Sequence, residues 1–190
     1  HTAYRRQRQM CIRDRYNLAS IFLEYKSMDD SNKEVEETYV TENTEQKNSY
    51  KTIDFEALLA RNSDVKGWID IPDTKVSYPI VQGETNDTYI HSDIDKKEFR
   101  AGSIFIASEN KNPFTDLNTV IYGHNMKNGS MFNNIKSYTE QDFADKHPYV
   151  YIYLPDGTVS RYKVVAAHII PEESLLYNCL LYTSDAADDM

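Results

Sequence analysis

From residue 54 onward, short apolar runs alternate with turn-forming polar breaks, a pattern that predicts many short strands and few short helices. Gly67-Trp68-Ile69-Asp70-Ile71 alternates and stops at Pro72; Val76 to Gln82 follows, with Pro79 pointing to an edge strand or a bulge. Gly102 to Ile106 and Asn118 to Tyr122 read as two further strands, parted by a polar loop containing Pro113. Tyr149 to Leu154, the turn Pro155-Asp156-Gly157, and Thr158 to Ile170 read as a hairpin. Helical spacing is confined to short stretches. Leu18, Ile21, Phe22 and Tyr25 mark a short helix within residues 17–36, and Phe55, Leu58 and Leu59 mark another, capped by Asp54 and ending near Asn62. Asn86 to His91, Met131 to Tyr138 and Gln141 to Lys146 read as small helices, while residues 37–50 are polar, aperiodic and linker-like. The sum is a mainly β domain, sandwich or barrel.

Length and charge narrow the function classes. A chain of 190 residues holds one such domain with some excess at the ends. Its net charge of −9 disfavours a surface built to neutralise phosphates, so no nucleic-acid partner is expected. No run of 18 apolar residues occurs, and the opening residues lack the apolar stretch of a signal peptide. Fifteen tyrosines suit half-buried strands and binding grooves, because tyrosine joins a broad apolar face to a polar tip.

The two ends differ in composition from what they flank. HTAYRRQRQMCIRDR at residues 1–15 carries five Arg against one Asp, and CLLYTSDAADDM closes the chain at residues 179–190. Both resemble translated sequencing-adapter sequence and are set aside as artefacts. The remaining residues 16–178 hold 16 basic and 26 acidic side chains, so the acidic character persists. Cys11 and Cys179 both fall in the terminal strings, so no disulfide framework can be argued.

The chemistry centres on Thr119-Val120-Ile121-Tyr122-Gly123-His124-Asn125, a β-branched strand that breaks at glycine and presents a histidine at its rim. A strand end holds a side chain firmly while leaving one face open, as a general acid or base requires. His124 stands in a series of blocks: Gly67-Trp68-Ile69-Asp70-Ile71-Pro72, Tyr78-Pro79-Ile80-Val81-Gln82-Gly83, Ala101-Gly102-Ser103-Ile104-Phe105, Tyr122-Gly123-His124-Asn125 and Gly129-Ser130-Met131-Phe132. In this order they closely resemble class B sortases, over roughly residues 50–178, and Leu23-Glu24-Tyr25 resembles the segment that follows the membrane anchor in that family.

The resemblance implies a sortase-like β-barrel of eight strands with short helices and an N-terminal helix, and a Cys-His-Arg site. It divides the chain into an N-terminal helix and linker at 16–50, after a missing anchor, and a partial catalytic domain at 51–178 whose final strands are missing. In the family a cysteine attacks the threonine carbonyl of a C-terminal NPxTN-type sorting signal. The resulting thioester is resolved by an amine, from a cell-wall precursor such as lipid II or from a pilin lysine. His124 would protonate the leaving amine and then deprotonate the incoming one. Asn86, Ile90 and Tyr122 would line the substrate groove; from their residue types alone, Ile90 and Tyr122 could equally be core and Asn86 a helix cap. No cofactor and no metal are called for. The resemblance also implies a place on the extracellular face of the cell membrane, held by a single-pass anchor absent from this chain.

One departure limits the activity expected. The family's cysteine ends a TLxTC-like strand, with its arginine on the next strand, and neither motif occurs here. Cys179, in Tyr177-Asn178-Cys179-Leu180, is too near His124 in sequence to be the nucleophile. An open barrel leaves backbone edges unpaired, so the polypeptide as written is expected to fold poorly and to be inactive. Two rival readings are a metal site using His91, Asp93, Asp95 and His124, and a noncatalytic cell-surface β domain that binds without chemistry. The missing glycine and distal glutamate of a calcium loop make Asp93 and Asp95 a solvated acidic turn instead. His147, at a strand start, and His168, on the last strand, read as structural, and Trp68 reads as core.

Overall fold

Tyr39-Val40-Thr41 lies inside the stretch expected to be a linker, yet two of its residues are β-branched and it enters a strand. The computed structural model describes residues 23, 25–42 and 50–169. Both terminal strings, the helix positions Leu18, Ile21 and Phe22, and Ile170 lie outside them. The chain divides into two units at Thr38 and Tyr39. In the first, residues 25–38 are helical, carrying the helix through the charged stretch beyond residue 36; Lys33 and Glu37 pair one turn apart at 3.6 Å.

In the second unit, β1 (Val40–Glu42) pairs antiparallel with β2 (Lys51–Ile53), Val40 opposite Ile53. The helix α1 (Phe55–Arg61) begins where expected. The Asp54 carboxylate accepts the Ala57 N–H at 3.0 Å, which satisfies an otherwise unpaired donor of the first turn, and Asn62 ends the helix by donating its N–H to the Leu58 carbonyl.

A six-stranded mixed sheet follows, built from β3 (Val65–Asp70), β4 (Ser77–Val81), β5 (Ile104–Ile106), β6 (Ile121–Tyr122), β7 (Tyr149–Tyr153) and β8 (Val159–Lys163), in the order β6-β5-β4-β3-β7-β8. Trp68 is fully buried on β3, as expected of a core residue. Its indole N–H donates to the Ser77 hydroxyl at 3.2 Å, and Lys51 Nζ joins them, donating to Ser77 at 3.1 Å and to Asp70 at 2.7 Å. Among the described residues no buried side-chain nitrogen or oxygen lacks a hydrogen-bond partner.

Three expectations need correction. Pro79 is not on an edge strand: β4 lies inside the sheet, with Pro79 opposite Trp68 on β3, and of the two alternatives only an irregularity is present, a register shift in the β3–β4 pair between Val65 and Gly67. The missing N–H is tolerated because β5 begins to pair with β4 only at Ile80. The strand read over 118–122 shortens to Ile121–Tyr122, because the Asn110 side chain accepts the Val120 N–H at 3.0 Å and donates to the Asn118 carbonyl at 2.6 Å, competing with the ladder. The last strand stops at Lys163, opposite Tyr149 at the start of β7, so His168 lies beyond it and is exposed.

The parallel pairing of β4 with β5 dictates what happens between them. Parallel neighbours need a crossover of a dozen residues or more, and residues 82–103 supply it. That crossover carries α2 (Asp87–Ile90) and a loop closed by a bridge between Ser92 and Glu98. After β6 come a 3₁₀ helix, Phe132–Thr139, and α3 (Gln141–Lys146).

Candidate functional site

His124 leaves β6 two residues after the strand's last ladder pair, Tyr122 with Phe105. Gly123 makes this exit possible: a Cβ there would collide with Ile104 Cδ1 and lie 2.7 Å from the Phe132 ring. The backbone of His124 is held from one side by Phe132, whose N–H donates to the His124 carbonyl at 3.0 Å. Its ring is held from the other, Nε2 lying 2.7 Å from the carbonyl oxygen of Ile90. A carbonyl can only accept, so Nε2 carries the hydrogen, and in the neutral imidazole the lone pair resides on Nδ1. The His91 ring stacks on that of His124, 5.5 Å between centroids and 20° from parallel.

Ile90 ends α2 and is exposed, which removes core packing as the account of this side chain. Tyr122 is half-buried, its ring 5.3 Å from that of Phe105. Asn86 stands at the N-terminus of α2 but makes no side-chain cap. Instead its Oδ1 accepts the Ser108 N–H at 2.8 Å and its Nδ2 donates to the Glu109 carboxylate at 3.1 Å. Bonds from Glu109's own amide and then from Asn86 hold that carboxyl below its usual range. The structure thus brings Ile90 and His124 into direct contact, with Tyr122 two residues away along the backbone and Asn86 at the other end of the same short helix.

The two carboxylates of the metal alternative are engaged within the protein. Asp95 is bound bidentately by Arg61, and Asp93 Oδ1 accepts the N–H groups of Asp95 and Lys97, both at 2.9 Å. Among the described residues no three His, Cys, Asp or Glu side chains are grouped to hold a metal ion.

Sequence reasoning missed the residues behind this site. Tyr89 is fully buried; its hydroxyl donates to Asp64 at 2.7 Å and accepts from Asn62 at 2.7 Å. Burial above all, with Asp64 adding to it, pushes the Tyr89 phenol well above its usual range. Gly102, at φ +58°, is also essential: a Cβ there would run into the Ile90 carbonyl and lie 2.9 Å from that of Tyr89. A four-residue helix shows no periodicity, so no pattern in the sequence could have marked Tyr89 as its anchor.

A family model described as a sortase domain matches residues 69–186. Sortase B of Listeria monocytogenes is 49% identical over 87 residues, covering 46% of this chain and 35% of that protein. Sortase B of Staphylococcus aureus is 38% identical over 93 residues, covering 49% of this chain and 38% of that protein. The match thus spans little more than a third of these relatives' length. Among solved structures, sortase B from B. anthracis in complex with AAEK1 superimposes with a TM-score of 0.66 at 28% identity, covering 87% of this chain and 81% of that one.

Proposed function

Because the chain belongs to the sortase family, and within it to class B, we propose that it is part of a cysteine transpeptidase that cleaves an NPxTN-like sorting signal at its threonine and passes the acyl group to a cell-wall amine. As the imidazolium, His124 gives its Nδ1 proton to the departing amine; left neutral, with the lone pair on Nδ1, it then takes a proton from the incoming amine. Asn86, Ile90 and Tyr122 line the groove that receives the peptide. The thiolate and the arginine come from outside residues 50–169, and the acceptor amine belongs to lipid II or a pilin lysine. The enzyme works on the extracellular face of the membrane through a single-pass anchor; among the described residues no helix is long and apolar enough to cross a membrane.

The observation that carries this reading is the bond between His124 Nε2 and the Ile90 carbonyl. It leaves the opposite nitrogen with no hydrogen bond among the described residues, as a group that must exchange protons requires.

The test begins at the source locus, sequenced outward from the codons for Tyr16 and Asn178. An apolar anchor upstream and a TLxTC-like strand followed by an arginine downstream are expected. The product of that reading frame should cleave an NPxTN-type peptide, and His124→Ala should lower kcat by about 10²- to 10⁴-fold. A locus encoding neither cysteine nor arginine would overturn the reading and favour a noncatalytic binding module.

A further inference from the structure

We propose that Tyr89 is a positioning residue for His124: its buried hydroxyl, held between Asn62 and Asp64, seats α2 so that the Ile90 carbonyl fixes the imidazole as the Nε2–H tautomer. The inference deepens the transpeptidase reading and rests on it for its consequence in turnover.

A helix of four residues cannot hold its own geometry, since nucleation alone costs more than one hydrogen-bonded turn returns. The Asn86 side chain, turned toward Ser108 and Glu109, does not cap it. What seats α2 is its one buried residue, Tyr89.

The anchor is fully satisfied. Asn62 donates to the Tyr89 hydroxyl and to the Ile94 carbonyl, at 2.7 and 2.6 Å, while its Oδ1 accepts the Asp64 N–H at 2.9 Å. Tyr89 donates in turn to Asp64, whose Oδ2 also pairs with Lys96 at 2.8 Å. Both Asn62 and Asp64 belong to the segment between α1 and β3, so the hydroxyl ties the crossover to the sheet's entry. The Tyr89 carbonyl accepts the Ser103 N–H at 3.0 Å, which joins the same turn to β5. The next carbonyl along the chain is that of Ile90, the acceptor for His124 Nε2. Gly102 faces both carbonyls: a Cβ added there would run into that of Ile90 and lie 2.9 Å from that of Tyr89. A shift at Tyr89 therefore displaces the acceptor of His124.

The experiment labels the histidines of the product of the locus with ¹⁵N and reads the His124 ring by long-range ¹H–¹⁵N correlation at alkaline pH, where imidazole is neutral. The unmodified chain should show one tautomer, protonated on Nε2. In Tyr89→Phe the two nitrogen shifts should converge as both tautomers become populated. Asp64→Ala, at a partly exposed position, should act in the same direction, whereas Asp64→Asn keeps an acceptor for the hydroxyl and should restore the single tautomer. Asp54→Ala removes the cap of α1 without touching this network, and should leave the ring unchanged.

In the active product of the locus, Tyr89→Phe should lower kcat about 10- to 100-fold with KM little altered, the size expected of a small misplacement. A native ring protonated on Nδ1, or a tautomer unmoved by both Tyr89→Phe and Asp64→Ala, would overturn the proposal. Tautomer changes as stated, with no transpeptidation by the unmodified locus product, would support the positioning role and count against the transpeptidase reading alone.

Discussion

Arg61 grips Asp95 with two parallel hydrogen bonds, Nε to Oδ1 at 2.7 Å and Nη2 to Oδ2 at 2.9 Å, and so fastens the end of α1 to the loop that leads from α2 into β5. The Arg61 bonds, first among the causes, take the Asp95 carboxyl down from 3.8 to about 2. Such bidentate pairs are the strong kind of charge-assisted bond.

A pH dependence follows. The folded pKa lies below the unfolded one, so the pair's contribution is complete above the ordinary carboxylate range and is lost as pH falls toward about 2. Urea unfolding of the product of the locus should show stability declining across that acid window. In Asp95→Asn part of that decline should disappear, with stability at neutral pH reduced. An unchanged acid limb would count against the pair.

Gly123→Ala should disturb the exit of β6, because the added methyl meets Ile104 and Phe132. Overpacking of this kind costs about 1–3 kcal/mol. A lowered midpoint of denaturation together with perturbed His124 ring resonances is the expected outcome.

Asn86→Ala removes the amide that binds Ser108 N–H and Glu109. In the active product of the locus, KM for the sorting-signal peptide should rise with kcat changed less, as for a residue that binds substrate and transition state alike. Kinetics with a fluorogenic NPxTN-type peptide would measure both constants.

The 190-residue chain by itself should leave that peptide uncut, since Cys11 and Cys179 are its only cysteines and neither stands in a TLxTC-like sequence. Cleavage that is abolished by His124→Ala would refute this expectation.

Much of the fold was legible because its signals are local. Asp54 caps α1, Pro155-Asp156-Gly157 turns the hairpin of β7 and β8, and the run around Trp68 forms a strand, though one buried on both faces where alternation was expected; each effect acts within a few residues. The ordered blocks from Gly67 to Phe132 were enough to point to class B sortases and to single out His124. Only the tertiary structure decided that Pro79 lies inside the sheet, that Asn86 turns to Ser108 and Glu109, and that a carbonyl on α2 meets the ring of His124. Those relationships join residues 22 to 34 positions apart, or depend on which strands become neighbours, and the parallel crossover from β4 to β5 brings them together. A period of two or of 3.6 residues says which face of an element is apolar. It carries no information on which distant face will meet it, and that choice set the proton-bearing nitrogen of His124.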